Sequence, residues 1–290
     1  MILVTGATGH VGGELVRRLA AAGEPVRAMT RRPAEARLPE GVEAVYGDAD
    51  DPASLDAAFA GARGAFLMSA QGVGTAPGPT HDHALAQAAA KAGVRRVVKL
   101  SVLDAGSGSD VIARWHTEAE SAVTDPSRAW AWTLLRPGRF MSNALQWAGQ
   151  LRAGDEVAMP FADRPAASID PADLAEIAAR ALTSDEHAGA AYELSGPQSL
   201  TPTEELSILG KVLGRPLTVR PVPADAARAG MSRYGFPPEV VEAIMQRTEE
   251  SDRGAEVLPT VAELLGRPAR TFEDWARAHA GAFAGRPGTA

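Results

Sequence analysis

The chain opens on a stretch that leaves few folds open to it. Residues 1–13 read MILVTGATGHVGG. Ile2 to Thr5 form a short apolar, β-branched run, the composition of a buried strand. Gly6, Gly9 and Gly12 follow at a spacing of three. Behind them Val11, Leu15, Val16 and Leu19 fall on one face of a helix, and Gly23 is placed to end it. Strand, glycine turn and helix in that order form an anion cradle. Backbone N–H groups at the helix start face a pyrophosphate. Glycines allow the tight turn, the close approach of backbone to phosphate, and the packing of helix on strand. The spacing G-x-x-G-x-x-G is one residue longer than the commoner G-x-G-x-x-G, and the pattern alone is weak; its place between strand and helix carries the weight. Gly6, Thr8, Gly9, His10, Val11 and Gly12 are therefore the first expected cofactor contacts. The alternative is an ordinary β–α turn that holds three glycines.

Bulk properties remove several other function classes. A chain of 290 residues holds one large domain or two lobes and can bury a sizeable interior. The net charge is −7 with no basic stripe, and the Arg31-Arg32 and Arg95-Arg96 pairs are too small to make one. Direct nucleic-acid binding is not expected. With no cysteine, disulfides, thiolate metal sites and cysteine nucleophiles are excluded. No charged and apolar leader precedes the first strand, and no apolar run approaches the ~18 residues of a spanning helix. The expectation is a cytoplasmic protein with no membrane association, a monomer or homodimer acting on a small molecule.

The second unit of the chain also fits a dinucleotide fold. A strand at residues 25–29 runs into Thr30-Arg31-Arg32-Pro33. This strand end faces the adenosine ribose, where an acidic residue would hold the 2′-hydroxyl and select NAD. Arg31 and Arg32 stand there instead, with no carboxylate before Glu35. Guanidinium groups suit a 2′-phosphate, so NADP(H) is expected over NAD(H). The alternative is two solvated arginines on a loop.

Residues 42–46 form a third strand, and Asp51-Pro52 then opens a helix with a capping carboxylate and a first-turn proline. Asp48 and Ala49 lie near the adenine in this scheme; Asp48 could equally cap a turn. A fourth strand, residues 65–69, ends in Ser69-Ala70-Gln71 beside the cofactor ribose, before a Gly/Pro loop at 72–79. A helix at 80–92 stops at Gly93. A fifth strand, 94–102, carries Lys99 and Ser101, and a lysine inside a central strand needs a polar edge to reach. After a Gly/Ser loop at 104–110, a helix at 111–123 carries Trp115, His116, Glu118 and Glu120. Residues 130–135 alternate and run through Arg136-Pro137-Gly138, a sixth strand ending in a turn. Strands alternating with helices over short links make an α/β fold, a Rossmann-type doubly wound parallel sheet.

After Phe140 the texture changes. A helix is expected at 141–151, with short strands at 156–159 and 166–169. Asp170-Pro171 opens a helix to 182, and 191–194 supplies the last strand of the main sheet. Thr201-Pro202-Thr203-Glu204 is a capping box opening a helix to 213. Residues 217–222 are extended, 224–283 mostly helical, and 285–290 a loose tail.

Several stretches together resemble the NmrA-like branch of the atypical short-chain dehydrogenase/reductases, a group that includes triphenylmethane reductase and NAD(P)H:quinone oxidoreductases of this fold. They are ILVTGATGHVG, the arginine after the second strand, GDADDPASLDAAFAG, HTEAESAV, TLLRPGRFMSN, SIDPADLAEIAARAL and YELSGPQSLTPTE, with FEDWARAHAGAF near the end. The first is generic to the superfamily; LRPGRFMSN and YELSGPQSLT discriminate better. The resemblance implies a cofactor lobe of residues 1–139 and about 168–196. It also implies a smaller substrate lobe of about 140–167 and 197–285.

The superfamily's usual acid is a Tyr-x-x-x-Lys pair, in which the lysine lowers the phenol's pKa. Here Tyr46, Tyr192 and Tyr234 are followed at the fourth position by Asp50, Gly196 and Pro238, so no such pair exists. Matching HTEAESAV to related isoflavone-reductase-like proteins puts His116 where their active-site lysine lies. A histidine titrates near neutrality and could donate the proton; it could equally hydrogen-bond a cofactor or carboxylate without proton transfer. His81 and His83 are two apart on a helix and do not face each other as metal ligands. No G-x-S-x-G nucleophile turn is present. The five tryptophans read as core and cleft wall.

The expected activity is hydride transfer from NADPH to a flat conjugated acceptor, a quinone, enone or imine. Such acceptors need less acid assistance than a simple ketone. Pro137 and Phe140, after the sixth strand, should border the nicotinamide. The rival is a non-catalytic NADP-binding sensor acting through a protein partner.

Overall fold

In the computed structural model, which describes residues 1–69, 79–249 and 251–283, the opening run becomes β1, Ile2–Val4, buried throughout. A strand apolar on both faces belongs inside a parallel sheet covered by helices on both sides. The helix behind it, α1 (His10–Ala21), buries Val11, Leu15, Val16 and Leu19. β2 (Val26–Thr30) pairs parallel with β1, and β3 (Glu43–Tyr46) pairs parallel with β2. β3 is the largely exposed edge. Then α2 (Pro52–Phe59) begins where the Asp51 side chain accepts the Ser54 N–H. β4 (Gly64–Leu67) pairs with the other side of β1.

Four more elements extend the sheet from β4. They are α3 (Thr80–Lys91), β5 (Arg96–Leu100), α4 (Val111–Thr124) and β6 (Ala131–Pro137). β4, β5 and β6 pair parallel in that order. Two segments farther along the chain close the set: α6 (Pro171–Thr183), which follows a short α5 (Ala148–Ala153) and β7 (Glu156–Pro160), and β8 (Ala190–Leu194). The sheet order is β3-β2-β1-β4-β5-β6-β8. Strand order reverses between β1 and β4, the point where open α/β sheets leave a crevice at the strands' carboxyl ends. Leu55, Phe59, Leu85 and Val123 from α2, α3 and α4 pack with Leu67, Val97 and Leu134 of the sheet. On α1 and α6, Arg18 pairs with Glu176 at 3.2 Å.

The chain divides into two compact units: Met1–Pro137 with Pro171–Glu193, and Gly138–Asp170 with Leu194–Ala290. The second has its own core of Trp147, Leu151, Leu206, Leu209, Phe272 and Trp275. There β7 pairs parallel with β9 (Thr218–Val222). The capping box at the head of α7 (Pro202–Leu213) is formed in both directions between Thr201 and Glu204. Those bonds hold the Glu204 carboxyl below its ordinary pKa. Helices α8 (Ala224–Arg233), α9 (Pro238–Glu249), α10 (Thr260–Leu265) and α11 (Phe272–His279) complete it.

The structure departs from the sequence pattern at three places. The fifth strand is shorter than 94–102. The Val94 N–H is claimed by the Ala89 carbonyl as α3 ends, and Ser101 lies just beyond the last strand residue, Leu100. The helix expected at 141–151 is a 3₁₀ segment, Met141–Trp147, followed by α5. Residues 166–169 are not a strand. Ala166 bridges Leu200, Ala167 N–H donates to Gly254, and Ile169 bridges Phe140. With each residue facing a different partner, no ladder can grow. The loop at 72–79, apart from Pro79, and the tail at 285–290 fall outside the described residues.

Candidate dinucleotide site

The turn after β1 closes when Gly9 N–H donates to the Gly6 carbonyl at 2.9 Å. Gly9 then heads α1, and no side chain caps it. The N–H groups of the first turn, on His10, Val11 and Gly12, are therefore left for an outside acceptor. Val11 and Gly12 are buried while Thr8, Gly9 and His10 are exposed, so Val11 and Gly12 offer backbone and not side chain. A Cβ at Gly12 would lie 2.2 Å from the Gly6 carbonyl oxygen; only glycine lets the helix start this close to the turn. A cavity of about 210 Å³ opens beside it, walled by Thr8 and Gly9, by Arg17 of α1, and by Glu35 and Arg37 after β2. These residues fit the phosphate and adenosine parts of a dinucleotide.

Arg31 and Arg32 are exposed at the end of β2. Arg32 also meets Glu35 at 3.2 Å, a pair of the exposed kind that contributes little. Asp48 makes the turn contact weighed above, accepting the Asp50 N–H at 3.1 Å, and its own N–H donates to Ser54 Oγ. Ala49 beside it is half-buried.

Farther along the carboxyl edge stand Ser69 and Ser101. The Ser69 hydroxyl donates to Asp82 Oδ2 at 2.7 Å, and Lys99 Nζ lies 2.9 Å from Asp82 Oδ1. Lys99 is 1% exposed and also donates to the Leu100 carbonyl, so its polar destination is internal. Ser101 Oγ donates to Glu120 Oε1 at 2.6 Å. Arg136 clasps the same carboxylate from β6, Nε at 2.8 Å and Nη2 at 2.6 Å. That clasp pushes the guanidinium pKa up. His116 is half-buried on α4, one turn before Glu120, with Nδ1 buried. Pro137 ends β6. Phe140 belongs to the second unit, where it bridges Ile169. Ala70 and Gln71 lie outside the described residues.

Asp82 and Arg136 were not singled out from the sequence. The signal for Asp82 was the buried lysine, which needed a carboxylate of its own. The two histidines flanking Asp82 turn to separate partners, His81 to Asp50 and His83 to Glu118.

A glycine-lined turn at the switch point of a doubly wound sheet is the Rossmann-type architecture of dinucleotide-binding proteins. The NmrA-like family model matches residues 1–266, and the chain belongs to that family. It is 46% identical over 290 residues to the (4-alkanoyl-5-oxo-2,5-dihydrofuran-3-yl)methyl phosphate reductase of Streptomyces griseus, covering 98% of this chain and 99% of the relative. It is 36% identical to the NAD(P)H azoreductase of Xenophilus azovorans, over 98% and 99% of the two chains. A solved structure of an NADPH-dependent quinone oxidoreductase from Escherichia coli, complexed with NADPH, is 27% identical. Its TM-score is 0.76, over 97% of this chain and all of that one. The protein is an NAD(P)H-dependent reductase, which decides the choice between enzyme and sensor. Among the described residues no helix is long and apolar enough to cross a membrane.

Proposed function

We propose that the protein uses NADPH to reduce a small conjugated acceptor, and that an enone is its natural class. The observation that carries the acceptor class is the end-to-end likeness to a reductase of an acylated dihydrofuranone phosphate. In that ring the C=C bond is conjugated with both a lactone and a ketone carbonyl. Hydride adds to the carbon remote from the carbonyls, and the proton goes to the carbon between them. Two carbonyls share the developing charge, so the reaction does not need the absent Tyr-x-x-x-Lys acid.

NADPH, when bound, supplies the hydride. The chain's own residues hold, orient and exclude water. In this reading the first unit is the cofactor lobe and the second the substrate lobe. The backbone from Gly6 through Thr8, Gly9, His10, Val11 and Gly12 takes the pyrophosphate. Arg31 and Arg32 take the 2′-phosphate, and Asp48 and Ala49 border the adenine. Ser69 and Ser101 follow the ribose, with Lys99 behind Ser69. Pro137 borders the nicotinamide, and His116 delivers the proton.

Incubation with NADPH and a panel of quinones, enones and imines, followed at the nicotinamide absorbance, tests the activity. Enones are expected to turn over fastest; failure of every enone while a quinone or azo compound reacts would overturn the class. Cofactor choice has its own test. NADPH is expected to bind roughly 10- to 100-fold more tightly than NADH. Replacing Arg31 and Arg32 together by alanine should erase that difference and leave NADH affinity nearly unchanged, as read by titration calorimetry. Equal affinities in the unaltered protein would refute the role of the arginines.

A further inference from the structure

Two neighbouring strands end in the same polar device. Past β4, Ser69 donates to Asp82 on α3, and Asp82 is paired with Lys99 on β5. Past β5, Ser101 donates to Glu120 on α4, and Glu120 is paired with Arg136 on β6. Each time a strand-end serine meets a carboxylate on the next helix, and a cation on the next strand balances that carboxylate. Asp82, Lys99 and Glu120 are 3%, 1% and 5% exposed. Burying such charges is a poor way to gain stability, since well-packed apolar residues commonly do as well or better. What the arrangement supplies is direction. A serine hydroxyl has one proton and two lone pairs, and an ionised carboxylate only accepts. Both serine protons are therefore turned inward, and lone pairs are what remain for the crevice.

We infer that the Lys99–Asp82 and Arg136–Glu120 pairs are positioning groups that fix Ser69 and Ser101 as hydrogen-bond acceptors for donor groups of the bound dinucleotide, Ser69 for a ribose hydroxyl. This rests on the reading that the dinucleotide lies along this sheet edge. Ser69 follows β4, which flanks the switch point beside β1, so it is the first of the two that a ligand leaving the glycine cradle meets. Lys99 acts on the cofactor through Asp82 and Ser69. Ser101, with its proton given to Glu120, does not protonate the reduced acceptor.

A double-mutant cycle on NADPH affinity tests the chain of influence. Ser69→Ala is expected to weaken NADPH roughly 3- to 10-fold, and Ser69→Thr, which keeps the hydroxyl, to restore it. Asp82→Asn should weaken binding to a similar extent alone, yet by less than about twofold when Ser69 is already alanine. Because Asp82→Asn strands the Lys99 ammonium in the core and can unfold the protein, Lys99→Met/Asp82→Leu is the companion variant. It should fold, with a Tm near that of the unaltered protein, and bind NADPH as weakly as Ser69→Ala. Multiplying effects of Ser69→Ala and Asp82→Asn, or full affinity in folded Lys99→Met/Asp82→Leu, would overturn the inference alone. No NADPH or NADH binding by the unaltered protein would overturn the dinucleotide reading with it.

Discussion

Gly9→Val is expected to lower NADPH affinity by about 100-fold or more, a loss of roughly 2.7 kcal/mol, while the protein stays folded. Gly9 has φ −85° and ψ 179°, extended backbone that valine adopts readily. A Cβ there would lie 3.2 Å from the Gly6 carbonyl oxygen, so the turn must give by only a few tenths of an ångström. The rest of the side chain occupies the space in front of the first N–H groups of α1, which the pyrophosphate needs. Gly12 is the useful contrast. There even alanine meets backbone at 2.2 Å, and Gly12→Ala should disturb the helix start itself and lower Tm. A folded Gly9→Val protein that keeps normal NADPH affinity would remove the cradle from the mechanism.

His116→Ala should lower kcat on a verified substrate by roughly 10²–10⁴-fold, the usual span of general acid–base work. NADPH affinity should change little, because the cradle and the arginines lie on other elements. If His116 only positions substrate, KM rises instead and kcat is kept. A fully active His116→Ala enzyme would assign the proton to water and leave the protein the task of holding acceptor and nicotinamide in register. The Glu120 carboxylate one turn away is already occupied by Ser101 and Arg136.

Much of the first unit could be read from local pattern. β1, the turn and α1 follow from a β-branched run, three glycines and one apolar helical stripe, all within about two dozen residues. The starts at Asp51 and Thr201 were legible because a cap and its partner lie three residues apart. Periodicity also separated strands from helices through β6 and placed Ser69 at a strand end, whereas Ser101 was expected inside a strand that in fact stops at Leu100. At residues 166–169 pattern misled because long-range bonding took over. Ala166 to Ile169 carry a strand's composition, but their hydrogen bonds go to Leu200, Gly254 and Arg139.

The polar interior of the sheet edge was decided only by the tertiary structure. Asp82 is 13 residues from Ser69 in sequence, and Glu120 is 19 from Ser101 and 16 from Arg136. No spacing rule joins those positions; parallel packing of β4, β5 and β6 under α3 and α4 does. That a strand, a glycine turn and a helix head an α/β sheet could be read from Met1 to Gly23 and the alternation after them, because that information is local. Which buried charges neutralise one another, and so which way each serine proton points, depends on burial and on neighbours brought together by the crossovers, and exists only once the sheet has formed.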